Sequence, residues 1–424
     1  MMKDKMTRRI FLKTIGATAA VVSAAGLFSG CDEVPAESNA DASNNESTSI
    51  PDTPSSAKIL WTIKDNGGGT ATLTGYDKTG PEPSGYVVIP SEISGRKITT
   101  INANFSGCTK WVRATIPGTV KDVRSFGYCA NMKMLTFQNG VENIYPQTFL
   151  MNRELVKVSL PQTLKWIGYS AFSECTKLKE VEFPNSLETI SDGAFNETAL
   201  EEIVLPPNTY VGDGAFARIS ALKKITIGAN DTFYGRYSGP FGSCTSLQTV
   251  AFSGSVEELS NLMFYKCSSL TDITLPYGLK KIGESAFTEC DSVKSISLPI
   301  TVTKIGNGAF ARCKALTSVS GMTASQELGT VIFRECDSLR KFAIPDGTQT
   351  IPKMMFYDCE NLKAIYIPVT VKKVEEDAFG YCPNLKTVYY GGNQSDWASM
   401  YIQGNGSPLF NATIYGNCSA SDLK

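Results

Sequence analysis

Apolar residues recur along this chain with a period of 23 residues, and phenylalanine marks that period most clearly. Nine of the twelve intervals between successive members of the series are 23 residues, and the other three are 21, 21 and 25. A fixed period of this length predicts a solenoid, in which each unit buries its apolar side only against its neighbours. The series is Phe105, Phe126, Phe149, Phe172, Phe195, Phe216, Phe241, Phe264, Phe287, Phe310, Phe333, Phe356 and Phe379.

The repeat unit predicts a short strand, a stop and a turn. It has the form F-x-x-C-x-x-L-x-x-[IV]-x-[LIF]-P-x-x-[LV]-x-x-I-x-x-x-A, and the copy from Phe264 to Phe287 shows every position. Ile273 and Leu275 alternate with polar neighbours, as in a strand with one buried face. Proline follows the strand in eight of the thirteen coils and ends it, because proline has no N–H and a fixed φ. We expect the A-F-x-x-C stretch to be a tight helical or 3₁₀ turn.

These residues resemble the BspA-type leucine-rich repeats of bacterial surface proteins. The resemblance implies a β-rich α/β fold, a right-handed leucine-rich-repeat solenoid of about 13 coils of 23 residues with caps at both ends. It also implies a role in surface recognition or adhesion. The matching motifs are L-x-x-I-x-L-P, I-G-x-x-A-F and C-x-x-L, as in Leu298-Pro299, Ile305-Gly306, Ala309-Phe310, Cys313 and Leu316.

The chain divides into five segments by composition. Residues 32–57 are rich in Ser, Asn, Asp, Glu and Pro and contain too few apolar side chains to form a core. Ile59–Ile63 and Thr70–Thr74 alternate like a hairpin around Asn66-Gly67-Gly68-Gly69, and Trp397, Phe410 and Ile414 supply apolar bulk to cover the last coil. We expect a twin-arginine signal peptide at 1–30, a disordered tether at 31–57, an N-terminal cap with a β-hairpin at 58–98, leucine-rich repeats at 99–390 and a C-terminal cap at 391–424.

The N-terminus resembles an export signal followed by a lipid-attachment site. Arg8 and Arg9 lie in T-R-R-I-F-L-K, which resembles the twin-arginine motif, and an alanine-rich apolar run follows them. The run ends at a lipobox-like sequence, which implies that Cys31 receives a lipid and becomes the mature N-terminus. The alternative is that Cys31 is an ordinary residue of a cleaved secretory signal. We expect the protein at the cell surface or the outer face of the cytoplasmic membrane, with the lipid as its membrane contact.

The positions of the cysteines and the lack of histidine restrict which disulfides, metal sites and catalytic groups the chain can form. Ten of the twelve cysteines occupy one repeat position, and the chain has no histidine. Asn152 and Ile219 replace cysteine at that position with no sign of a lost partner, which favours reduced, buried thiols over disulfides. Without histidine, Ser-His-Asp and Cys-His catalysis and the usual zinc sites are excluded. We expect a non-enzyme with no cofactor and no metal.

The overall charge restricts the class of partner. The formal net charge is −1, and no run of basic residues stands out, which argues against nucleic acid as a partner. We expect a protein partner, either in a host matrix or on another cell surface.

Two groups of residues are candidates for partner binding. Tyr366 and Tyr389, with Lys363 and Lys386 beside them, are expected to stack as an aromatic and cationic patch, unless the terminal cap folds over them. The second group is Tyr234 and Tyr237 in the irregular coil between Phe216 and Phe241, which carries two extra residues. There the alternative is that Phe233 or Tyr234 fills the core.

The sequence therefore predicts a lipid-anchored cell-surface leucine-rich-repeat protein that mediates protein recognition or adhesion without catalysis. Two alternatives stay open. One is a structural or scaffolding component of the cell envelope, and the other is a carbohydrate-binding surface module.

Overall fold

The computed structural model describes residues 51–56, 58–404 and 407–423. The predicted signal peptide, Arg8, Arg9, Cys31 and most of the tether lie outside the described residues.

The described residues form 32 short strands, one α-helix and two 3₁₀ helices. The first sixteen strands are β1 (Trp61–Gly67), β2 (Thr70–Tyr76), β3 (Gly85–Val88), β4 (Glu92–Ile93), β5 (Arg96–Ile101), β6 (Trp111–Ile116), β7 (Asp122–Val123), β8 (Met134–Phe137), β9 (Asn143–Ile144), β10 (Lys157–Ser159), β11 (Trp166–Ile167), β12 (Glu180–Val181), β13 (Thr189–Ile190), β14 (Glu202–Val204), β15 (Tyr210–Val211) and β16 (Lys224–Ile227). The others are β17 (Thr232–Phe233), β18 (Thr249–Phe252), β19 (Glu258–Leu259), β20 (Asp272–Ile273), β21 (Lys281–Ile282), β22 (Ser295–Ser297), β23 (Lys304–Ile305), β24 (Ser318–Ser320), β25 (Glu327–Leu328), β26 (Lys341–Ala343), β27 (Thr350–Ile351), β28 (Ala364–Ile367), β29 (Lys373–Val374), β30 (Thr387–Tyr390), β31 (Tyr401–Ile402) and β32 (Thr413–Tyr415). Helix α1 (Gln394–Ser399) lies between β30 and β31, and the 3₁₀ helices are η1 (Pro408–Asn411) and η2 (Ala420–Asp422).

Two series of parallel strands run along the repeats. One series comprises the sheets β3-β6-β8-β10-β12, β14-β16-β18-β20, β22-β24 and β26-β28-β30-β32. The other comprises β7-β9-β11-β13-β15-β17, β19-β21-β23-β25 and β27-β29-β31. The predicted leucine-rich-repeat solenoid is confirmed, as a parallel β-solenoid of about 15 turns. It has more turns than predicted because β3 pairs with β6 and β32 pairs with β30, so the ladder continues beyond the phenylalanine series at both ends.

Separate elements cover each end of the repeats. At the N-terminal end β1 and β2 form an antiparallel pair, and the Trp61 ring meets the Phe105 ring edge-on at a centroid distance of 6.2 Å. At the C-terminal end the Trp397 ring of α1 packs against Tyr390 at 5.1 Å. Phe410, which we expected to help cover the last coil, is 56% exposed, because the neighbouring Leu409 takes the buried position instead.

The phenylalanines form one continuous column through the core. All thirteen are almost completely buried, and the ring centroids of successive members are 5.1 to 5.9 Å apart. Most of these neighbouring rings are stacked, at separations that are favourable for aromatic pairs. The column explains the period, because each ring has to meet the equivalent ring of the next coil.

The turn around each phenylalanine is not helical, so that prediction is wrong. Around Phe310, the residues two before and two after it, Gly308 and Arg312, have φ of 60° and 58°. The N–H groups of Gly308, Phe310 and Arg312 donate to carbonyls of the next coil at 2.9, 3.1 and 2.7 Å. Alternate residues thus bond to the neighbouring coil, whereas a helix would direct every N–H back along its own chain.

This turn predicts a stabilising substitution at Val331. Val331 has φ of 53° at the position occupied by Gly308 in the preceding coil, and a β-branched side chain is strained there. We expect Val331→Gly to raise the free energy of unfolding by about 0.5–1 kcal/mol. Glycine removes the strain of the left-handed backbone conformation, and the greater flexibility of glycine in the unfolded chain offsets part of that gain. Urea denaturation would measure the change, with Gly308→Val as the control of opposite sign. A lower stability for Val331→Gly would contradict the strain argument.

No helix in the part of the chain that the structure describes is both long enough and apolar enough to cross a membrane.

Candidate functional site

The irregular coil ends in a loop that a single carboxylate holds in place. The loop, residues 234–239, follows β17 and is called here the Tyr237 loop. Asp213 accepts hydrogen bonds from four successive backbone N–H groups of this loop, those of Arg236, Tyr237, Ser238 and Gly239, at 2.9, 3.1, 3.2 and 2.9 Å. The loop is therefore fixed by charge-assisted bonds to a neighbouring coil.

The Tyr237 loop presents its aromatic side chains to solvent. Tyr237 is 74% exposed and Tyr234 is 44% exposed. The Arg236 guanidinium carbon lies 4.8 Å from the centroid of the Tyr237 ring, which is a cation–π contact. Phe233 packs against the core instead, with its ring centroid 6.1 Å from that of Phe241. Phe233 fills the space in the shifted coil, and Tyr234 and Tyr237 are available for contact.

A buried carboxylate supports the same coil from inside. Asp231 is 3% exposed, and its two oxygens accept the N–H groups of Thr209 and Gly228 at 2.9 and 2.7 Å. Burial raises the pKa of Asp231 to about 6, although the two N–H donors lower it in part. Burial therefore destabilises the ionised form of Asp231, and protonation of the carboxylate removes that penalty.

Lowering the pH from about 7.5 to about 4.5 should stabilise the wild type relative to Asp231→Asn by about 1–3 kcal/mol. The folded-state pKa of Asp231 is about 6 against an ordinary value of 3.8, so the folded chain binds the proton more tightly than the unfolded chain. The stability from this group is therefore present at low pH and is lost as the pH rises through 6. Urea unfolding of both proteins at both pH values measures the difference. An identical pH dependence in the two would contradict the coupling.

A second group of exposed and half-buried residues lies on the same sheet as the Tyr237 loop, and of its members sequence reasoning found only Tyr234. Trp166, Thr189, Tyr210 and Thr232 are partners in register along β11, β13, β15 and β17. Arg124, Tyr145 and Tyr234 each follow a strand of this sheet directly, in the adjacent column. We call Arg124, Tyr145, Trp166, Tyr210 and Tyr234 the aromatic face.

Direct contacts order the N-terminal half of the aromatic face. The Arg124 guanidinium carbon lies 3.6 Å from the centroid of the Tyr145 ring. The Tyr145 ring meets Trp166 edge-on at 5.2 Å. The Trp166 indole N–H donates to Ser191 Oγ at 2.9 Å. These side chains hold one another in place.

A departure from the repeat could have revealed the aromatic face. The residue after the second strand is glycine in several coils, including Gly168 and Gly306, where neighbouring backbones approach closely. A Cβ at Gly168 would lie 2.5 Å from the Pro146 nitrogen. Arg124, Tyr145 and Tyr234 stand at this position, so in these three coils a large aromatic or basic side chain replaces the glycine.

The C-terminal tyrosine patch is not an open surface, and the expectation is wrong for Tyr366. Tyr366 is 4% exposed and its hydroxyl donates to Asp346 Oδ1 at 2.7 Å. Burial, with the Asp346 carboxylate beside it, raises the pKa of Tyr366 to about 12. The Tyr389 ring stacks on the Tyr415 ring of β32 at a centroid distance of 5.7 Å, because β32 adds to the sheet in register with β30. The terminal segment thus covers these tyrosines, which is the alternative in which the terminal cap folds over them.

Lys363 and Lys386 stay exposed near that end of the solenoid. Lys386 lines a cleft of about 630 Å³ together with Tyr381 and Pro408. The structure therefore does not assemble these two lysines and two tyrosines into one accessible site. Among the described residues, no three Cys, Asp or Glu side chains come together as metal ligands would.

The repeat itself identifies the family. A family model described as BspA type leucine rich repeat region (6 copies) matches residues 98–220, 188–317 and 280–405, which together span more than half of the chain. The chain belongs to the BspA-type leucine-rich-repeat family. No curated protein matches it.

Three solved structures are similar to this BspA-type chain. A leucine-rich cell surface protein from Faecalibacterium prausnitzii is 26% identical, with a TM-score of 0.43, over 83% of this chain and 99% of its own. A leucine-rich repeat protein from Bacteroides ovatus is 20% identical, with a TM-score of 0.49, over 86% and 100%. The pneumococcal vaccine antigen PcpA is 20% identical, with a TM-score of 0.49, over 87% and 97%. The family assignment rests on the repeat match.

The cysteine of the BspA-type repeat has the same hydrogen-bond partner in nine coils. Nine of these thiols donate to the carbonyl oxygen of the phenylalanine one coil earlier, at Sγ–O distances of 3.0 to 3.3 Å. Asn152 makes the same contact through its Nδ2, at 3.0 Å from the Phe126 oxygen. Burial raises the pKa of Cys244 and Cys313 to about 12, which suppresses the reactive thiolate.

Proposed function

We propose that this protein is an exported, lipid-tethered surface protein that recognises another protein through the Tyr237 loop and the aromatic face, without bond chemistry. The observation that carries the proposal is the Tyr237 loop. Its backbone is fixed on Asp213, while Tyr237 is 74% exposed with Arg236 against its ring. Such a loop loses little conformational freedom when a partner binds.

The chemistry of the two surfaces favours a protein as the partner. Tyr, Trp and Arg are the residue types that dominate binding energy at protein interfaces. The aromatic face combines all three, and Tyr234 belongs both to it and to the Tyr237 loop. The ordered contacts of Arg124, Tyr145 and Trp166 support a preformed surface.

Cell-surface display is the second part of the proposal, and the N-terminal sequence supports it. Arg8 and Arg9 would direct export through the twin-arginine route, and Cys31 would carry the lipid. The division into signal peptide (1–30), tether (31–57), N-terminal cap (58–98), repeats (99–390) and C-terminal cap (391–424) belongs to the same proposal. A flexible tether would let the repeats reach partners away from the membrane.

The test compares two exposed tyrosines. The partner would first be captured from surface proteins of host matrix or bacterial envelope, and its affinity would then be measured with the full protein. We expect Tyr237→Ala to weaken binding at least about 30-fold, as for an interface anchor worth about 2 kcal/mol. Tyr277→Ala is the matched control, because Tyr277 is 81% exposed but lies in the connection between β20 and β21, outside the Tyr237 loop and the aromatic face. It should change the affinity less than about threefold.

Three other results would contradict the proposed site or favour a different function. Equal affinities for the wild type and Tyr237→Ala would contradict the proposed site. Failure to find a saturable protein ligand would favour the envelope scaffold, and saturable binding of a polysaccharide would favour the carbohydrate-binding module.

A further inference from the structure

The first cysteine of the ladder differs from the other ladder cysteines in accessibility. Cys108 is partly exposed, whereas Cys129 and the cysteines of the later coils, up to Cys382, are buried. Gly107 and Thr109 on either side of Cys108 are exposed as well. At this end of the ladder a cysteine is partly accessible to solvent in the folded chain.

The two cysteines occupy equivalent positions in neighbouring coils. The Cys129 thiol donates to the Phe105 carbonyl oxygen at 3.3 Å, so it reaches across to the coil that carries Cys108. The backbone on either side of Cys108 is tied to the next coil, since Phe105 N–H and Gly107 N–H donate to carbonyls there at 2.9 and 2.8 Å. Stacked coils hold equivalent Cα atoms roughly 4.8 Å apart, inside the range of about 4.4–6.8 Å that a disulfide tolerates.

This pair is separate from the other thiols. The next position along the ladder is Asn152, whose Oδ1 accepts the Cys129 backbone N–H at 2.8 Å. Cys108 and Cys129 therefore have no third ladder thiol beside them that could exchange with a bond between them. From Cys244 to Cys382, by contrast, seven buried cysteines follow one another in successive coils.

We propose that Cys108 and Cys129 form an oxidisable dithiol that closes to a disulfide when the folded chain meets a small-molecule disulfide, while the rest of the ladder stays reduced. Cys108 attacks one sulfur of the oxidant, loses its proton to solvent and releases the first small thiol. Cys129 then attacks the Cys108 sulfur and displaces the second. Two protein thiols and one small disulfide thus become one protein disulfide and two small thiols.

The position of this bond gives it a consequence for the solenoid. It would join the first phenylalanine coil to the second, next to the N-terminal cap. Solenoids lose structure from their ends, because a terminal coil has a neighbour on only one side. A covalent link there should oppose separation of the first coil from the second. The inference does not depend on the proposed partner binding, since it concerns thiols far from Tyr237 in the sequence.

The test oxidises the native full-length chain with glutathione disulfide and then alkylates the remaining thiols in denaturant. Cys418, which is also partly exposed, is replaced by serine in every sample. After trypsin digestion and mass spectrometry, we expect residues 98–110 and 125–133 as one disulfide-linked species that disappears on reduction. This link should form at least about tenfold faster than any link between residues 267–280 and 282–294, which carry the buried neighbours Cys267 and Cys290.

A second readout keeps the inference testable if peptide yields are low. Oxidation should raise the midpoint of thermal unfolding by at least about 2 °C, and reductant or Cys108→Ser should remove the increase. The proposal is overturned if both peptides stay fully alkylated after native oxidation, or if the links at Cys267 and Cys290 appear equally fast. It is also overturned if glutathione remains on Cys108 as a stable mixed disulfide.

Discussion

Replacing Phe264 by alanine is expected to lower the free energy of unfolding by about 3–5 kcal/mol. Phe264 is fully buried and lies between the rings of Phe241 and Phe287, at centroid distances of 5.9 and 5.5 Å. The substitution removes two ring contacts and leaves a cavity within a column that the flanking coils cannot close without moving. Because each coil is stabilised mainly by its neighbours, the loss should spread to both of them. Urea unfolding monitored by circular dichroism measures it.

The control for Phe264 is a phenylalanine outside the column. Phe410 is 56% exposed, and Phe410→Ala should change the free energy of unfolding by less than about 0.5 kcal/mol. A loss below about 1 kcal/mol for Phe264→Ala would mean that the column does not hold successive coils together, contrary to the packing described above.

Changing Arg8 and Arg9 together to lysine is expected to abolish surface display almost completely. Lysine keeps both positive charges. A loss of surface display would therefore show that export requires the two arginines themselves and not only their charge. Accessibility to protease added outside intact cells, compared with total protein by immunoblotting, gives the exported fraction. An unchanged exported fraction would contradict the twin-arginine proposal.

A substitution at Cys31 separates anchoring from export. Cys31→Ser removes the sulfur that would carry the lipid and leaves the arginine pair intact. We expect the protein still to leave the cytoplasm, but to be found in the medium or the soluble envelope fraction and to lose labelling by a radioactive fatty acid. Retention in the membrane fraction with the label intact would contradict lipid attachment at Cys31.

The repeat architecture could be predicted because its cause is local and is reproduced in every coil. The 23-residue period of phenylalanine indicates one column of stacked rings, and the alternation of Ile273 and Leu275 indicates one half-buried strand. The cysteine position was informative for the same reason. Asn152 fits the same place because its amide can make the hydrogen bond that a thiol makes in the other coils.

The turns were harder to predict because their backbone bonds join different coils. Val331 has no local preference for φ of 53°, and only the N–H bonds to the neighbouring coil impose that conformation. Sequence alone cannot show such a constraint.

The exposure of the candidate residues was predicted in part, and each difference has a physical cause. Tyr234 and Tyr237 are exposed because the two extra residues of their coil form a loop that the core has no room for. Tyr366 is buried because β32, which does not follow the repeat motif, extends the sheet in register and brings the terminal segment over it. The aromatic face depends on the alignment of residues five coils apart, such as Arg124 and Tyr234, and this requires the register of the whole sheet.

The central claim is tested most directly by site-specific photocrosslinking on intact cells. A photoreactive phenylalanine would replace Tyr237 in one strain and the equally accessible Tyr277 in another, and the partner would be supplied at a concentration near its Kd. We predict a covalent product with the partner protein from position 237 and none from position 277. Crosslinking from position 277 alone, or equally from both positions, would contradict recognition through the Tyr237 loop.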